Sequence, residues 1–246
     1  IGMAIGTSAE ISILITSWVK SVAKKPVFVK LTPNVTDINW IAQAVERAGA
    51  DGFSAINTVN GFMGVNLDAL EPNLSVDGNS TYGGISGEIV KPIGFRCVAQ
   101  LRQNSNLPIL GMGGIINWQD SAQYIALGAN AVQICTEVMI NGYGIINGLK
   151  SGLLNYLKSK DFKNLSELHN IIIPKITTHE KLNKTYKLYP KILEEKCVKC
   201  AKCVKICSES EYGALSLEDK IILNKEICAN CSLCSHVCPK NAIKMV

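Results

Sequence analysis

The spacing of its cysteines constrains this chain more than any other feature. Cys197, Cys200, Cys203 and Cys207 form one run, and Cys228, Cys231, Cys234 and Cys238, followed by Pro239, form a second. Each reads C-x2-C-x2-C-x3-C, a spacing that holds a [4Fe–4S] cluster through four thiolates. Two other uses of paired cysteines compete with this reading. A tetrahedral zinc site needs four thiolates but seldom a third and fourth at these intervals, given twice. Disulfide frameworks belong mostly to small secreted domains, and the long stretch before the runs holds only Cys97 and Cys135.

The doubled run matches two-cluster ferredoxins, in which the fourth cysteine of each run ligates the other cluster. One cluster is then expected on Cys197, Cys200, Cys203 and Cys238, the other on Cys228, Cys231, Cys234 and Cys207. Crossed ligands of this kind couple folding to cluster assembly. Two adjacent clusters serve as a short electron wire, which raises the question of what the rest of the chain does with electrons.

That rest is large enough for a substantial core, with 246 residues at 47% apolar. The expected domains are residues 1–160, a connector over 161–195, and a cluster module over 196–246. A net charge of +5 comes from scattered lysines, densest between Lys158 and Lys205. No nucleic-acid motif accompanies them, and they read as solvated chain. The apolar residues 11–19 are too short for a membrane span, and no signal peptide is visible. Oxygen-sensitive clusters and free thiols fit a reducing compartment, so the expected location is the cytoplasm. The chain opens at Ile1 without an initiator methionine, which reads as an interior starting point of a longer protein.

Up to about residue 160 short apolar runs alternate with amphipathic stretches. Helices are expected over residues 11–24, 38–48 (capped by Thr36 or Asp37), 89–103, 119–127 and 143–157. Strands are expected over 26–31, 52–57, 108–112 and 131–135, with a long Gly-, Asn- and Ser-rich loop before Gly87. Repeated βα units with apolar strands imply a parallel sheet covered by helices. A Rossmann sheet would want GxGxxG after an early strand, and none is present. A (β/α)8 barrel wants polar residues at the C-terminal strand ends, where Lys30, Asn57, Gly113-Gly114 and Cys135-Thr136 fall. Four units read as the C-terminal half of such a barrel, with the first four strands upstream.

The strand ends suggest chemistry. Lys30 interrupts an apolar strand, where an ammonium either snorkels out or answers an anion such as a reduced flavin. Asn57 and Thr58 can donate and accept, as the edge of a uracil-like ring requires, or are simply turn residues. Gly113-Gly114 before a helix offers backbone N–H groups to a phosphate, with Cys135 and Thr136 as the partner segment. Cys97 reads as core. The stretch from Ser80 to Gly87 lets backbone approach a flat cofactor closely. No histidine is assigned a catalytic role.

These residues carry a family likeness. Lys30-Leu31-Thr32-Pro33-Asn34-Val35-Thr36-Asp37, Asn57-Thr58-Val59, Thr81-Tyr82-Gly83-Gly84-Ile85-Ser86-Gly87 and Gly113-Gly114-Ile115 closely resemble dihydropyrimidine dehydrogenase. The resemblance extends through the cluster module, including Ser208-Glu209-Ser210 after Cys207, where most ferredoxins have proline. It implies that Lys30 contacts FMN, that Asn57 and Thr58 bind the pyrimidine, and that Gly87 lies near the isoalloxazine. Met112, Gly113 and Gly114, with Cys135 and Thr136, are implied to bind the FMN phosphate. The family's general acid is a loop cysteine; its neighbouring glycines match the Gly2 region, which places that cysteine before Ile1. Asn60 stands where the family has a serine, and Met112 where it has a threonine.

The activity implied is reduction of the 5,6 double bond of uracil or thymine. Electrons would come from NADH through the FAD of a partner subunit and two [4Fe–4S] clusters to FMN, in a homodimer of heterodimers. This chain alone is expected to be inactive. A dihydroorotate dehydrogenase-like flavoenzyme and a non-catalytic electron-transfer protein remain the alternatives.

Overall fold

The computed structural model describes residues 5–246, so the Gly2 region lies outside the described residues. Two compact units divide the chain, Ile1–Ile176 and Thr177–Val246.

In the first unit, α1 (Ala9–Val22) starts at Ser8, whose Oγ accepts the Ile11 N–H at 3.3 Å. The strand β1 (Phe28–Leu31) follows, then α2 (Ile38–Arg47), capped by Asp37, which accepts the Asn39 N–H. Its Ile38, Ile41, Ala42 and Val45 are buried on one face, as their helical spacing requires. Next come β2 (Gly52–Ala55), the short strands β3 (Val59–Gly61), β4 (Val65–Asn66), β5 (Glu71–Pro72) and β6 (Gly83–Ile85), and α3 (Lys91–Asn104). The unit continues through β7 (Ile109–Met112), α4 (Trp118–Ala126), β8 (Ala131–Gln133), α5 (Thr136–Asn141), α6 (Ile145–Ser159) and α7 (Leu165–Leu168).

The strands β1, β2, β7 and β8 make one sheet in that order, every pair parallel. Each is joined to the next by a helix, the connection that parallel strands need. Phe53, Val45, Val98, Leu101, Ile109 and Tyr124 are fully or nearly fully buried between sheet and helices. Burial of each such apolar side chain stabilises the unit by about 1.5–3 kcal/mol.

The structure departs from the sequence reading in three places. The loop expected before Gly87 contains two antiparallel pairs, β3 with β6 and β4 with β5. Strands of two or three residues rich in Gly and Asn give no period to detect. The strand expected over 131–135 stops at Gln133, and Cys135 becomes the residue before α5. The stretch expected as one helix is preceded by this extra short helix, which ends at Gly142 with φ 72°.

The connector divides between the units. Leu168 packs with Ile125 and Leu157, and the N–H groups of Asn170 and Ile172 bond to the carbonyls of Ile125 and Ala126. In the second unit, β9 (Pro190–Ile192) pairs antiparallel with β12 (Ile243–Met245), and β10 (Leu215–Leu217) with β11 (Ile221–Leu223). The helices α8 (Lys202–Glu209) and α9 (Leu233–His236) complete it.

Candidate cofactor and metal centres

The C-terminal ends of β1, β2, β7 and β8 open onto a cavity of about 690 Å³. All nine residues singled out for substrate or cofactor border it: Lys30, Asn57, Thr58, Gly87, Met112, Gly113, Gly114, Cys135 and Thr136. Its walls are largely apolar, with Ile56, Ile115 and Ile134 among them. Such a volume suits a cofactor-sized ligand.

Lys30 is exposed to this cavity rather than buried in the strand. Its register partner Ser54 on β2 points to the same interior, and Ser54 Oγ donates to Gln133 Oε1 on β8 at 2.6 Å.

Two loops shape the opposite wall. Gly113 and Gly114 have φ of 122° and 71°. A Cβ on Gly114 would lie 2.8 Å from the Gly87 carbonyl oxygen and 2.9 Å from Lys91 Cβ, so glycine is required by conformation and by space. The buried Tyr124 hydroxyl lies 2.8 Å from the Gly113 carbonyl and 3.1 Å from that of Met112. Both carbonyls are thereby taken up on the core side of the turn. Burial pushes the Tyr124 phenol far above its ordinary pKa, so it stays a donor.

Charge ties these loops together. Asp120 is buried, accepts the Ile116 N–H at 3.0 Å and pairs with Lys91 at 2.8 Å. Lys91 also reaches Glu88 at 3.2 Å. Thr136 Oγ1 donates to Ser86 Oγ at 3.0 Å, linking the β8 end to the Gly87 loop. Two carboxylates, Glu88 and Glu137, also border the cavity; Lys91 pairs the first and the Asn141 amide bonds the second.

Sequence reasoning missed three positioning residues. Asn34 accepts the Asn60 N–H at 2.8 Å and donates to the Thr58 carbonyl at 3.0 Å, fixing the Asn57-Thr58 segment from the β1 loop. Asp120 lies in the first turn of α4 and Lys91 at the start of α3. Nothing local marks any of them, because these partners lie 24 to 29 residues apart in the chain and only the fold brings them together.

In the second unit the eight cysteines sort into two quartets. Cys197, Cys200, Cys203 and Cys238 border one cavity; Cys207, Cys228, Cys231 and Cys234 border another. Among the described residues no group of three or more His, Cys, Asp or Glu side chains is gathered about a single ion position. The backbone is prepared in the same way twice. Lys199 and Ala201 flank Cys200 with positive φ, and Asn230 and Ser232 flank Cys231 likewise. Consecutive N–H groups in such turns form nests for anionic clusters. Cys207 Sγ and Cys238 Sγ accept the N–H groups of Ala214 and Ala242, each at 3.2 Å. Burial raises the Cys203 thiol and pushes Cys234 up to about 11. Those two thiols are therefore protonated without metal, and ligation at them releases protons. The donor sets fit cubane iron–sulfur clusters, and the first cavity fits a flavin mononucleotide.

A parallel βα sheet with a glycine-walled cofactor cavity, followed by paired cysteine quartets, defines an iron–sulfur flavoprotein oxidoreductase built on the (β/α)8-barrel fold. Residues 2–157 match the family described as dihydroorotate dehydrogenase, and residues 190–245 match a 4Fe-4S dicluster domain. The chain belongs to the dihydroorotate dehydrogenase family. It is 36% identical over 250 residues to the NAD-dependent dihydropyrimidine dehydrogenase subunit PreA of Escherichia coli, covering 99% of this chain and 61% of that protein. It is 41% identical over 167 residues to the catalytic subunit of dihydroorotate dehydrogenase B (NAD(+)) of Pyrococcus abyssi, covering 68% of this chain and 54% of the relative. With the chloroplastic dihydropyrimidine dehydrogenase (NADP(+)) of Arabidopsis thaliana it shares 34% over 192 residues, 76% of this chain and 45% of that one. The resemblance to dihydropyrimidine dehydrogenase read from the residues is thus borne out, and the chain spans 61% of the first relative's length. No helix among the described residues is long and apolar enough to cross a membrane.

Proposed function

We propose that the protein reduces the 5,6 double bond of uracil or thymine, with electrons originating from NADH bound to an FAD-bearing partner subunit. The observation that carries this reading is the convergence of Lys30, Asn57, Thr58 and two glycine-bearing loops on one cavity, in a chain that also holds two cysteine quartets. A pyrimidine-reducing relative over 99% of the chain supports it.

Bound FMN supplies hydride transfer and exchanges single electrons with clusters. The protein supplies position and charge. Asn57 donates and accepts toward the alternating N–H and C=O edge of the base, with Asn57 Oδ1 already steadied by the Thr58 N–H at 3.0 Å. Lys30 sets a positive charge on the cavity floor, which favours an anionic reduced ring. The Met112–Gly114 and Cys135–Thr136 segments hold the phosphate through backbone N–H groups. No residue of this chain is assigned the proton delivered to C5. The eight cysteines hold two [4Fe–4S] clusters, the assembly is a homodimer of heterodimers, and its place is the cytoplasm.

A second reading, dihydroorotate oxidation, draws on the 41% identity to a dihydroorotate dehydrogenase B catalytic subunit. The cysteine quartets within the same chain weigh against it, because that likeness covers only 68% of this chain. The experiment is NADH oxidation by the whole protein with its FAD partner, supplied with uracil or with orotate. Turnover with uracil and none with orotate is expected. The reverse pattern would replace the first reading by the second, and no turnover with either would favour an electron-transfer role.

A further inference from the structure

The backbone around the two cysteine quartets is duplicated, but the side chains are not. Lys199 and Asn230 occupy the same left-handed position, with φ of 53° and 58°, and so do Ala201 and Ser232, with φ of 58° and 61°. Each fourth cysteine takes one N–H bond of 3.2 Å from an alanine. The fixed dipoles of the main chain therefore act alike on both sites. The residues facing the sites differ in charge. Lys202 and Lys240 border the Cys197 cavity, whereas no charged residue borders the Cys228 cavity, where Leu233 takes the place of Lys202. Lys199, Lys202 and Lys240 are exposed and take part in no salt bridge among the described residues. Of the nearby acids, Glu194 pairs with Lys220 and Glu209 with Lys205.

We propose that this charge difference makes the two quartets unequal, and that the Cys197 quartet holds its cluster at the higher reduction potential. An electron reaching the unit then settles at the lysine-ringed site. The inference rests on the reading of both quartets as cluster ligands. Reduction adds one negative charge to a cluster, and nearby cations favour the reduced form. A side-chain donor works the other way at the second site, since Asn230 Nδ2 lies 3.9 Å from Cys228 Sγ. It is neutral and long, and the two ammonium groups of Lys202 and Lys240 outweigh it. Solvent screens exposed lysines, so the expected effect is modest, about tenfold in the one-electron equilibrium, or about 59 mV.

The test uses the full chain reconstituted without oxygen, with iron and sulfide counted first. About eight of each supports two clusters; about four, or zinc in place of iron, overturns the ligand reading itself. A redox titration followed by electron paramagnetic resonance then resolves the two reduction steps. Because two neighbouring clusters repel each other's electrons, the variants decide the assignment. The triple substitution Lys199→Gln, Lys202→Gln, Lys240→Gln is expected to lower the upper step about tenfold and leave the lower one in place. Leu233→Lys, at a position already 39% exposed, is expected to raise the lower step. Added salt is expected to narrow the gap in the wild type. If the triple variant moves the lower step or neither, with full iron content, or if Leu233→Lys leaves the lower step unmoved, the charge asymmetry is overturned.

Discussion

Lys91→Met asks whether charge or packing holds together the two loops that wall the cofactor cavity. The Lys91 ammonium lies 2.8 Å from Asp120 and 3.2 Å from Glu88, in side chains that are 14% exposed for Lys91, 4% for Asp120 and 65% for Glu88. The Glu88 contact is a surface pair and contributes about 0–1 kcal/mol. The Asp120 contact is not. Removing the ammonium leaves a buried carboxylate with the Ile116 N–H as its remaining bond at 3.0 Å, and breaking a buried pair from one side costs about 3–5 kcal/mol. Methionine replaces most of the lysine stem, so little packing is lost, and the partial exposure of Lys91 places the expected loss near 3 kcal/mol, at the lower end of that range. Adding Asp120→Asn removes the stranded charge and is expected to restore about half of it. Urea unfolding followed by tryptophan fluorescence reads the right unit, since Trp18, Trp40 and Trp118 all lie in Ile1–Ile176. Burial opposes the charged form of Lys91, but its bonds to Asp120 and Glu88 outweigh burial and raise its pKa. A raised folded pKa gives stability that is complete below the ordinary lysine range and is lost as pH rises through the raised value. The gap between wild type and variant is therefore expected to hold steady from neutral pH to about 10 and to close above it. A loss below about 1 kcal/mol, or a double variant no better than the single one, would refute the reasoning.

Gly114→Ala is expected to cost about 2 kcal/mol or more, read in the same urea titration, because a positive φ and the Gly87 carbonyl at 2.8 Å both oppose a Cβ. Asn34→Ala in the whole protein is expected to raise KM for the pyrimidine about tenfold, from the loss of two hydrogen bonds that fix the substrate segment, while FMN affinity measured by fluorescence stays unchanged. Lys30→Met is expected to make bound FMN harder to reduce; an unchanged flavin midpoint potential would remove Lys30 from the cofactor's electronics. Cys238→Ser is expected to damage the cluster built on Cys197, Cys200 and Cys203 rather than the one nearer in sequence, and resonance spectra showing the reverse would reject the crossed quartets.

Local repetition made much of this protein legible in its residues. The cysteine spacing repeats within a dozen residues, and the alternation of apolar runs with amphipathic helices repeats every few turns, so both survive in a one-dimensional reading. The strand-end candidates were legible for the same reason, since a parallel barrel puts function at one end of every strand. What the residues alone did not disclose depends on contacts between distant segments. Lys91 and Asp120 look like ordinary helix-start charges until α3 and α4 bring them within 2.8 Å. Asn34 looks like a turn residue until the β1 loop meets the Thr58 carbonyl. The short pairs β3–β6 and β4–β5 have no period of their own, and in the first a glycine at position 61 leaves room for the Ile85 side chain on the paired strand. Lys30 reads from the residues as a snorkelling lysine or as one that answers an anion, and the fold puts it on the border of the cavity. The unequal charge around two backbone-matched quartets likewise needed the fold, because Lys240 joins Lys202 only when Cys238 crosses to the first site. Sequence specifies which groups are present and their local geometry; pair energies depend on distance and burial, and those are set when the chain closes on itself.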